Sequence, residues 1–247
     1  MRPENTLEAF QVAVHECGAE MLEFDVHLSR DHVPVVIHDH TLQRTTNGIG
    51  FVGQKNYSEL LKLDAGYHFD PDHKHHFPYR GKNLRIPSLE AVLNTFPTIP
   101  LAIEIKQNSK TLALAITQLL QKKGRLSDVI VGSKYDLVTQ MIAREAPEMH
   151  RFCSRKEIAK LLIEKHAAKS PQTQNPSAVA STPCGFFGAR FAEKTWIQFL
   201  HQKGMKAFFW TVNQPDQIQK LVELGADGII TDHPLKTGQV ILSATRK

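Results

Sequence analysis

Five polar residues that could act as acids, bases or ligands lie where apolar, strand-like runs of the chain end. Glu23 and Asp25 close the first run, His38 closes the second, and Glu104 and Lys106 close a third. Side chains two residues apart on a strand project from the same face. At the carboxyl ends of neighbouring parallel strands, all five side chains would meet at one edge of a sheet.

The three carboxylates predict a site for one divalent cation. Close together, Glu23, Asp25 and Glu104 would repel one another and lose hydration, and Mg²⁺ or Ca²⁺ with its preference for hard oxygen ligands removes that cost. Lys106 would offset the charge or hold a phosphate oxygen. Metal and phosphate together indicate a phosphodiesterase. The alternative is that each acid is an ordinary exposed or ion-paired residue, which is a weaker explanation for three acids than for one.

His38 is the candidate acid or base, because an imidazole can transfer protons near neutral pH. Its attachment to the apolar run 35–37 places it at the predicted metal edge. A lone histidine is more often structural, and what favours a role for His38 is its predicted pairing opposite Asp25. Asp39 would either orient His38 or cap the loop.

Trp210 is the candidate for contact with the alcohol part of a substrate. It belongs to an alternating run, 206–212, in which one set of side chains must face the interior. Core packing is the default for such a residue. We prefer a position at the rim, where the indole would pack on a glycerol or alcohol moiety.

The order of apolar and helix-period segments predicts an α/β fold with a parallel sheet and outer helices. Strands are predicted at 21–26, 34–38, 101–105, 129–132, 150–153, 185–188, 206–212 and 228–231. Helices are predicted at 5–17, 88–96, 110–123, 135–146, 155–166, 193–203 and 214–224.

One connection is too short for a parallel crossover. Seven residues separate Val26 from Pro34, whereas a crossover needs about a dozen. The two strands must therefore form a hairpin, with Asp25 opposite His38 if the turn centres on Asp31 and His32. Seven strands remain for a TIM (β/α)₈-type barrel, which needs eight. We expect the missing first strand before helix 5–17, where the printed sequence begins.

Two segments depart from the alternation. Residues 44–87 contain turn residues, aromatics and a basic, histidine-rich cluster, and are predicted to form a small inserted cap over the barrel mouth. Residues 167–183 are polar and contain proline, and are predicted to be a flexible loop.

Composition predicts a single domain over residues 1–247. The chain has 247 residues, of which 41% are hydrophobic, enough for one large core. A formal charge of +5 suits an anionic ligand, but without a long basic run we predict no nucleic-acid partner. Three scattered cysteines fit a reducing, cytoplasmic location. No transmembrane segment is predicted, and no pattern indicates an oligomeric state.

The chain resembles the glycerophosphodiester phosphodiesterase family. The similar segments follow the family's order along nearly the whole chain, at 3–10, 22–26, 34–39, 42–48, 86–90, 103–106, 210–213 and 225–234. The resemblance implies hydrolysis of small glycerophosphodiester substrates to glycerol 3-phosphate and an alcohol. It places a divalent metal at Glu23, Asp25 and Glu104, and makes His38 one of two acid/base histidines.

The chain also departs from the family. In the family a His-Arg-Gly motif ends the first barrel strand and supplies the second histidine, and this sequence contains no such motif. We therefore expect hydrolysis to be impaired, and expect an upstream extension with the motif to restore it. Two alternatives are a catalytically inactive phosphate- or glycerol-binding remnant, and lysophospholipase D activity on the same barrel.

Overall fold

The computed structural model describes residues 1–167, 178–186 and 188–245. The strands are β1 Leu22–Leu28, β2 Pro34–Val36, β3 Leu101–Ile105, β4 Val129–Gly132, β5 His150–Phe152, β6 Ala178–Thr182, β7 Gly185–Phe186, β8 Ala189–Arg190, β9 Lys206–Phe209 and β10 Gly228–Ile229. The helices are α1 Leu7–His15, α2 Tyr57–Leu60, α3 Leu89–Thr95, α4 Lys110–Lys122, α5 Asp136–Glu145, α6 Arg155–His166, α7 Lys194–Gln202, α8 Pro215–Leu224 and α9 Pro234–Thr245. In the described ranges, no helix combines the length and apolarity needed to cross a membrane.

The main sheet confirms the predicted α/β barrel class. Its strand order is β10-β9-β6-β5-β4-β3-β1-β2. Neighbours from β1 to β10 pair in parallel, and β2 pairs antiparallel with β1. Seven parallel strands with helices between them form a curled sheet. No strand of the described residues bridges β10 and β1, so the barrel is open on that side.

Helix boundaries follow local signals in the sequence. The side chains of Thr6, Ser88, Ser109 and Ser154 each accept a hydrogen bond from a backbone N–H in the first turn of the following helix. Gly225 ends α8 in the left-handed conformation, with φ 85°, which a residue without Cβ adopts at little cost. The predicted helices accordingly agree with the structure to within a few residues.

Two assignments near residue 180 were wrong. The barrel strand is β6, not the predicted 185–188, whose first residues belong to a separate β7–β8 hairpin. The flexible loop predicted at 167–183 is therefore a strand over 178–182, and 168–177 lie outside the described residues. Ala178, Ala180 and Ser181 are small or polar, so the segment lacks the bulky β-branched pattern of a typical strand. Helix α9 was not predicted.

The β1–β2 hairpin is confirmed, but its register differs by one residue from the prediction. Val26 pairs with Val36 and Leu28 with Pro34, so the turn centres on Asp31 alone. The Ile37 amide donates to the Asp25 carbonyl at 3.0 Å. Asp25 therefore lies opposite Ile37, and His38 follows one position later. A single-residue shift of this kind depends on turn geometry that propensities do not resolve.

Two large apolar clusters pack the outer helices onto the sheet. The first joins α1, α3, α4 and α5 to strands β1 to β4 around Phe24 and Ile103. The second joins α6, α7 and α8 to β6 and β9 around Trp196 and Phe209. A smaller cluster of Ile130, Val179 and Phe208 comes from β4, β6 and β9. The sheet is the element common to these clusters.

Residues 44–87, the segment predicted to form a cap, pack against the β1–β2 hairpin. A third apolar cluster unites Val35 and Ile37 with Leu42 and with Val52, Leu60, Ala65 and Ile86 of the cap. The cap includes α2 and a short 3₁₀ helix, Val52–Gln54. This packing attaches the cap to the strand end that carries His38.

Gly132 is expected to be intolerant of a side chain. It pairs with Glu104 across β3 and β4, and a Cβ there would lie 2.5 Å from the Phe152 Cβ. Gly132→Ala should therefore destabilise the chain by about 1–3 kcal/mol through overpacking. Gly238→Ala in α9 is the matched control, since an added Cβ meets no atom within 4 Å. Urea unfolding of both variants measures the difference, and equal stabilities would contradict the prediction.

Candidate active site

Strand register brings the three predicted acids together. Asp25 of β1 and Glu104 of β3 are direct partners in the parallel ladder, and Glu23 precedes Asp25 by two residues on the same face. Ligand oxygens of Glu23, Asp25 and Glu104 all lie within 4.8 Å of one another. The three acids thus form one triad, although β1 continues to Leu28, so Glu23 and Asp25 lie within this strand and do not close it as predicted.

Lys106 lies within the same group. Its Nζ is 2.9 Å from Asp25 Oδ1 and 2.8 Å from Glu104 Oε2. Burial lowers the pKa of the Lys106 ammonium, but the two carboxylates outweigh burial and leave the pKa raised overall. The lysine is therefore a cation held beside the triad.

The triad is short of positive charge. Burial, followed by repulsion from Asp25 and Glu104, raises the pKa of Glu23 to about 8. Burial also raises the pKa of Asp25, against the opposing effect of Lys106. Three carboxylates with one lysine beside them leave net negative charge in one place, and their oxygen atoms fit a hard divalent ion.

The raised pKa of Glu23 predicts that cation affinity depends on pH. Below about pH 8 Glu23 must lose its proton to ligate, so affinity for Mg²⁺ should fall about tenfold per unit of decreasing pH. Above that pH the affinity should level off. Isothermal titration calorimetry in buffers of different ionisation enthalpy measures both affinity and released protons. Affinity that stays constant between pH 6 and pH 8 would contradict the prediction, and Glu23→Gln should remove the dependence.

His38 is held by a chain of charged side chains. Its Nδ1 lies 2.6 Å from Asp39 Oδ1, and Arg44 Nε donates to Asp39 Oδ2 at 2.5 Å. Arg44 then binds Glu4 through both terminal nitrogens, at 2.8 and 2.6 Å. The hydrogen bond from Arg44, aided by that from His38, lowers the pKa of Asp39 to about 2. Asp39 is thus ionised beside His38, in the orienting position.

Sequence reasoning gave no role in the site to three residues of this region: Asn5, His27 and Arg44. The Asn5 side chain contacts Asp25 twice, through Nδ2 to Oδ2 at 3.4 Å and from the Asp25 amide to Oδ1 at 3.5 Å. The buried ring of His27 contacts the His38 carbonyl oxygen through Nε2 at 3.0 Å. The period of two from Glu23 and Asp25 could have pointed to His27. The contact between Asn5 and Asp25 joins residues 20 apart in sequence, and no periodic pattern predicted it.

The site residues share one open cleft of about 2970 Å³. Its lining includes the triad, Lys106, His38 and Trp210. Trp210 is 45% exposed and Phe186 is 60% exposed, so both present apolar surface at the cleft instead of packing in a core. The structure therefore places the predicted tryptophan at the rim and adds Phe186, which sequence reasoning did not single out.

A curled parallel α/β sheet with an acidic triad in its cleft belongs to the class of barrel proteins whose active sites gather polar side chains from several neighbouring strands. Within that class, the model of the glycerophosphoryl diester phosphodiesterase family matches residues 1–236. The chain belongs to this phosphodiesterase family, as the motifs predicted.

Curated relatives cover almost the whole chain. YhdW of Bacillus subtilis is 33% identical over 235 residues, covering 94% of this chain and 90% of its own length. The glycerophosphodiester phosphodiesterase of Caldanaerobacter subterraneus is 28% identical, covering 99% and 93%. Human lysophospholipase D GDPD1 is 25% identical, covering 94% and 80%. The relatives thus include two named activities.

Solved structures show the same fold. A glycerophosphoryl diester phosphodiesterase domain from Mycobacterium tuberculosis superposes with a TM-score of 0.84 at 26% identity, covering 96% of this chain and 94% of that domain. A phosphodiesterase from Oleispira antarctica, solved with the product sn-glycerol-3-phosphate, has a TM-score of 0.73 at 23% identity, covering 100% and 92%. At 23% identity, the similarity to the Oleispira antarctica structure shows a shared fold only.

Proposed function

We propose that the protein hydrolyses glycerophosphodiesters to glycerol 3-phosphate and an alcohol, with one divalent cation held by Glu23, Asp25 and Glu104. The observation that carries the proposal is the convergence of these three carboxylates within 4.8 Å, next to Lys106. A bound Mg²⁺ or Ca²⁺ would stabilise negative charge on the phosphoryl oxygens.

The chain's own residues supply positioning and proton transfer. Lys106, released from some of its carboxylate contacts, would bind a phosphate oxygen as a point charge. Because Asp39 accepts from Nδ1 of His38, proton transfer would take place at Nε2, either from the attacking hydroxyl or to the leaving oxygen. Trp210 would pack on the glycerol or alcohol part of the substrate at the rim.

Release of glycerol 3-phosphate from glycerophosphocholine tests the proposal. The purified chain should release product when Mg²⁺ or Ca²⁺ is added and lose activity when EDTA removes it. Substrate affinity without product, under both metals, would contradict hydrolysis and favour a binding domain that turns nothing over. The assay therefore separates the enzyme from the non-catalytic alternative.

We propose further that residues 1–247 alone are weakly active. The family resemblance implies two acid/base histidines. Among the family motifs present in this sequence, only the one with His38 supplies such a histidine. Losing one general acid or base costs about 10²- to 10⁴-fold. Adding a strand that ends in His-Arg-Gly ahead of residue 1 should raise turnover by a similar factor. Full turnover by residues 1–247, with no gain from the extension, would contradict this.

A lysophospholipid is the second candidate substrate. The exposed Phe186 and Trp210 at the cleft would pack against an acyl chain, since ligand pockets are mostly lined by apolar and aromatic residues. Lysophosphatidylcholine should then compete with glycerophosphocholine, and Phe186→Ser should weaken only the lyso-lipid. Equal loss for both substrates, or no competition, would leave the water-soluble diester as the substrate.

A further inference from the structure

A hydrogen-bonded network of side chains runs from Glu4 through Arg44 and Asp39 to His38. A single aspartate would be enough to orient the histidine, so the network has more members than that task requires. Its four members come from three parts of the sequence: the segment before α1, the end of β2 and the start of the cap. Arg44 occupies the centre. Its Nε donates to Asp39, and its two terminal nitrogens donate to both oxygens of Glu4.

Stability does not account for this arrangement. The side chains of Arg44 and Glu4 are 49% and 46% exposed, and ion pairs at such positions contribute little to folding because water competes for them. The planar guanidinium of Arg44 does, however, fix the orientation of the side chains that it binds, since three of its N–H donors are used at set angles. With one oxygen of Asp39 bound to Arg44, the other oxygen is aimed at His38 Nδ1.

The segment before α1 is also tied to the triad. Asn5, adjacent to Glu4, contacts both the side chain and the amide of Asp25. Glu4 and Asn5 thus reach the histidine side and the carboxylate side of the cleft from consecutive positions. Movement of one side relative to the other would have to break one of these contacts.

We infer that Arg44 is a positioning residue, which holds His38 in its reactive orientation through Asp39 while Glu4 fixes the guanidinium from the opposite side. The inference rests on the proposed function, because the orientation matters only if His38 transfers a proton. Arg44 itself lies two side chains away from the reacting atoms.

Kinetics of matched variants test the inference. Arg44→Gln should lower kcat by about 10- to 100-fold, as removal of an outer partner of a functional side chain does, with a smaller effect on KM. Arg44→Lys should restore only part of the loss, because an ammonium cannot form the fork. Glu4→Gln should act in the same direction, and Glu4→Gln with Arg44→Gln should be no worse than Arg44→Gln alone. Arg30→Gln is the control, an exposed arginine bound to Asn56.

The tautomer of His38 gives a second readout, independent of turnover. Nitrogen-15 spectra of the neutral ring should show the proton on Nδ1 in the unmodified chain and a shift toward Nε2 in Arg44→Gln. The signal that disappears in His38→Gln is assigned to the His38 ring. If Arg44→Gln does not fold, Glu4→Gln replaces it.

Support requires both changes, a lower kcat and a shifted tautomer. Where the unmodified chain turns over substrate, either change alone, or neither, would overturn the role of Arg44, because kinetics and orientation would then not be linked. An unmodified chain without any turnover would instead refute the proposed hydrolysis, and the tautomer comparison would still report whether Arg44 orients His38. The two failures are therefore distinguishable.

Discussion

Glu104→Gln is expected to lower metal-dependent release of glycerol 3-phosphate by about 10³-fold. The amide keeps the shape of the side chain but removes a charged ligand, and metal stabilisation of transition-state charge is worth several kcal/mol, with each 1.36 kcal/mol equal to a factor of ten. Mg²⁺ affinity, measured by calorimetry, should fall in parallel. The two readouts together assign the loss to the metal site.

Glu90→Gln provides the control for that experiment. Glu90 lies in the first turn of α3 and pairs with Lys123 at 3.1 Å, outside the cleft. It removes the same charge from the chain without removing a ligand. If Glu104→Gln keeps its affinity for Mg²⁺ while Glu90→Gln loses it, the triad is not the cation site.

His38→Gln is expected to lower kcat by about 10²- to 10⁴-fold, the usual contribution of a positioned general acid or base. Mg²⁺ affinity should be unchanged, because His38 is not part of the triad. Steady-state kinetics and calorimetry on the same preparation separate these two effects.

His40→Gln is the matched variant for His38→Gln. His40 lies two residues further along and stacks on Phe51, with ring centroids 5.6 Å apart. It should retain kcat. Comparable losses in both variants would mean that the region needs its histidines for structure, and would remove His38 from the proposed chemistry.

The sequence was sufficient to find the triad because two simple rules operate there. Alternation along a strand puts Glu23 and Asp25 on one face, and parallel pairing puts Glu104 beside them. Each rule concerns regular backbone, where position follows from residue number. The barrel class and the helices were predictable for the same reason, and the family match over residues 1–236 agrees with the motifs.

Features that depend on irregular backbone were not predictable. The turn at Asp31 shifted the hairpin by one residue, and His32 there has φ 63°, a conformation that residues other than glycine adopt infrequently. The Arg44 contact with Glu4 joins residues 40 apart in sequence. Such long-range polar contacts leave no periodic pattern, so only coordinates reveal them.

Division of the apolar packing into two clusters has a consequence for local unfolding. The first cluster contains the elements that carry the triad, Lys106 and His38, whereas the second carries Trp210. Since a ligand stabilises only the conformations that bind it, Mg²⁺ should slow amide hydrogen exchange in α3 and α4 more than in α7 and α8. If Trp210 packs on the alcohol part of the substrate as proposed, opening of the second half would release that part without disturbing the three carboxylates.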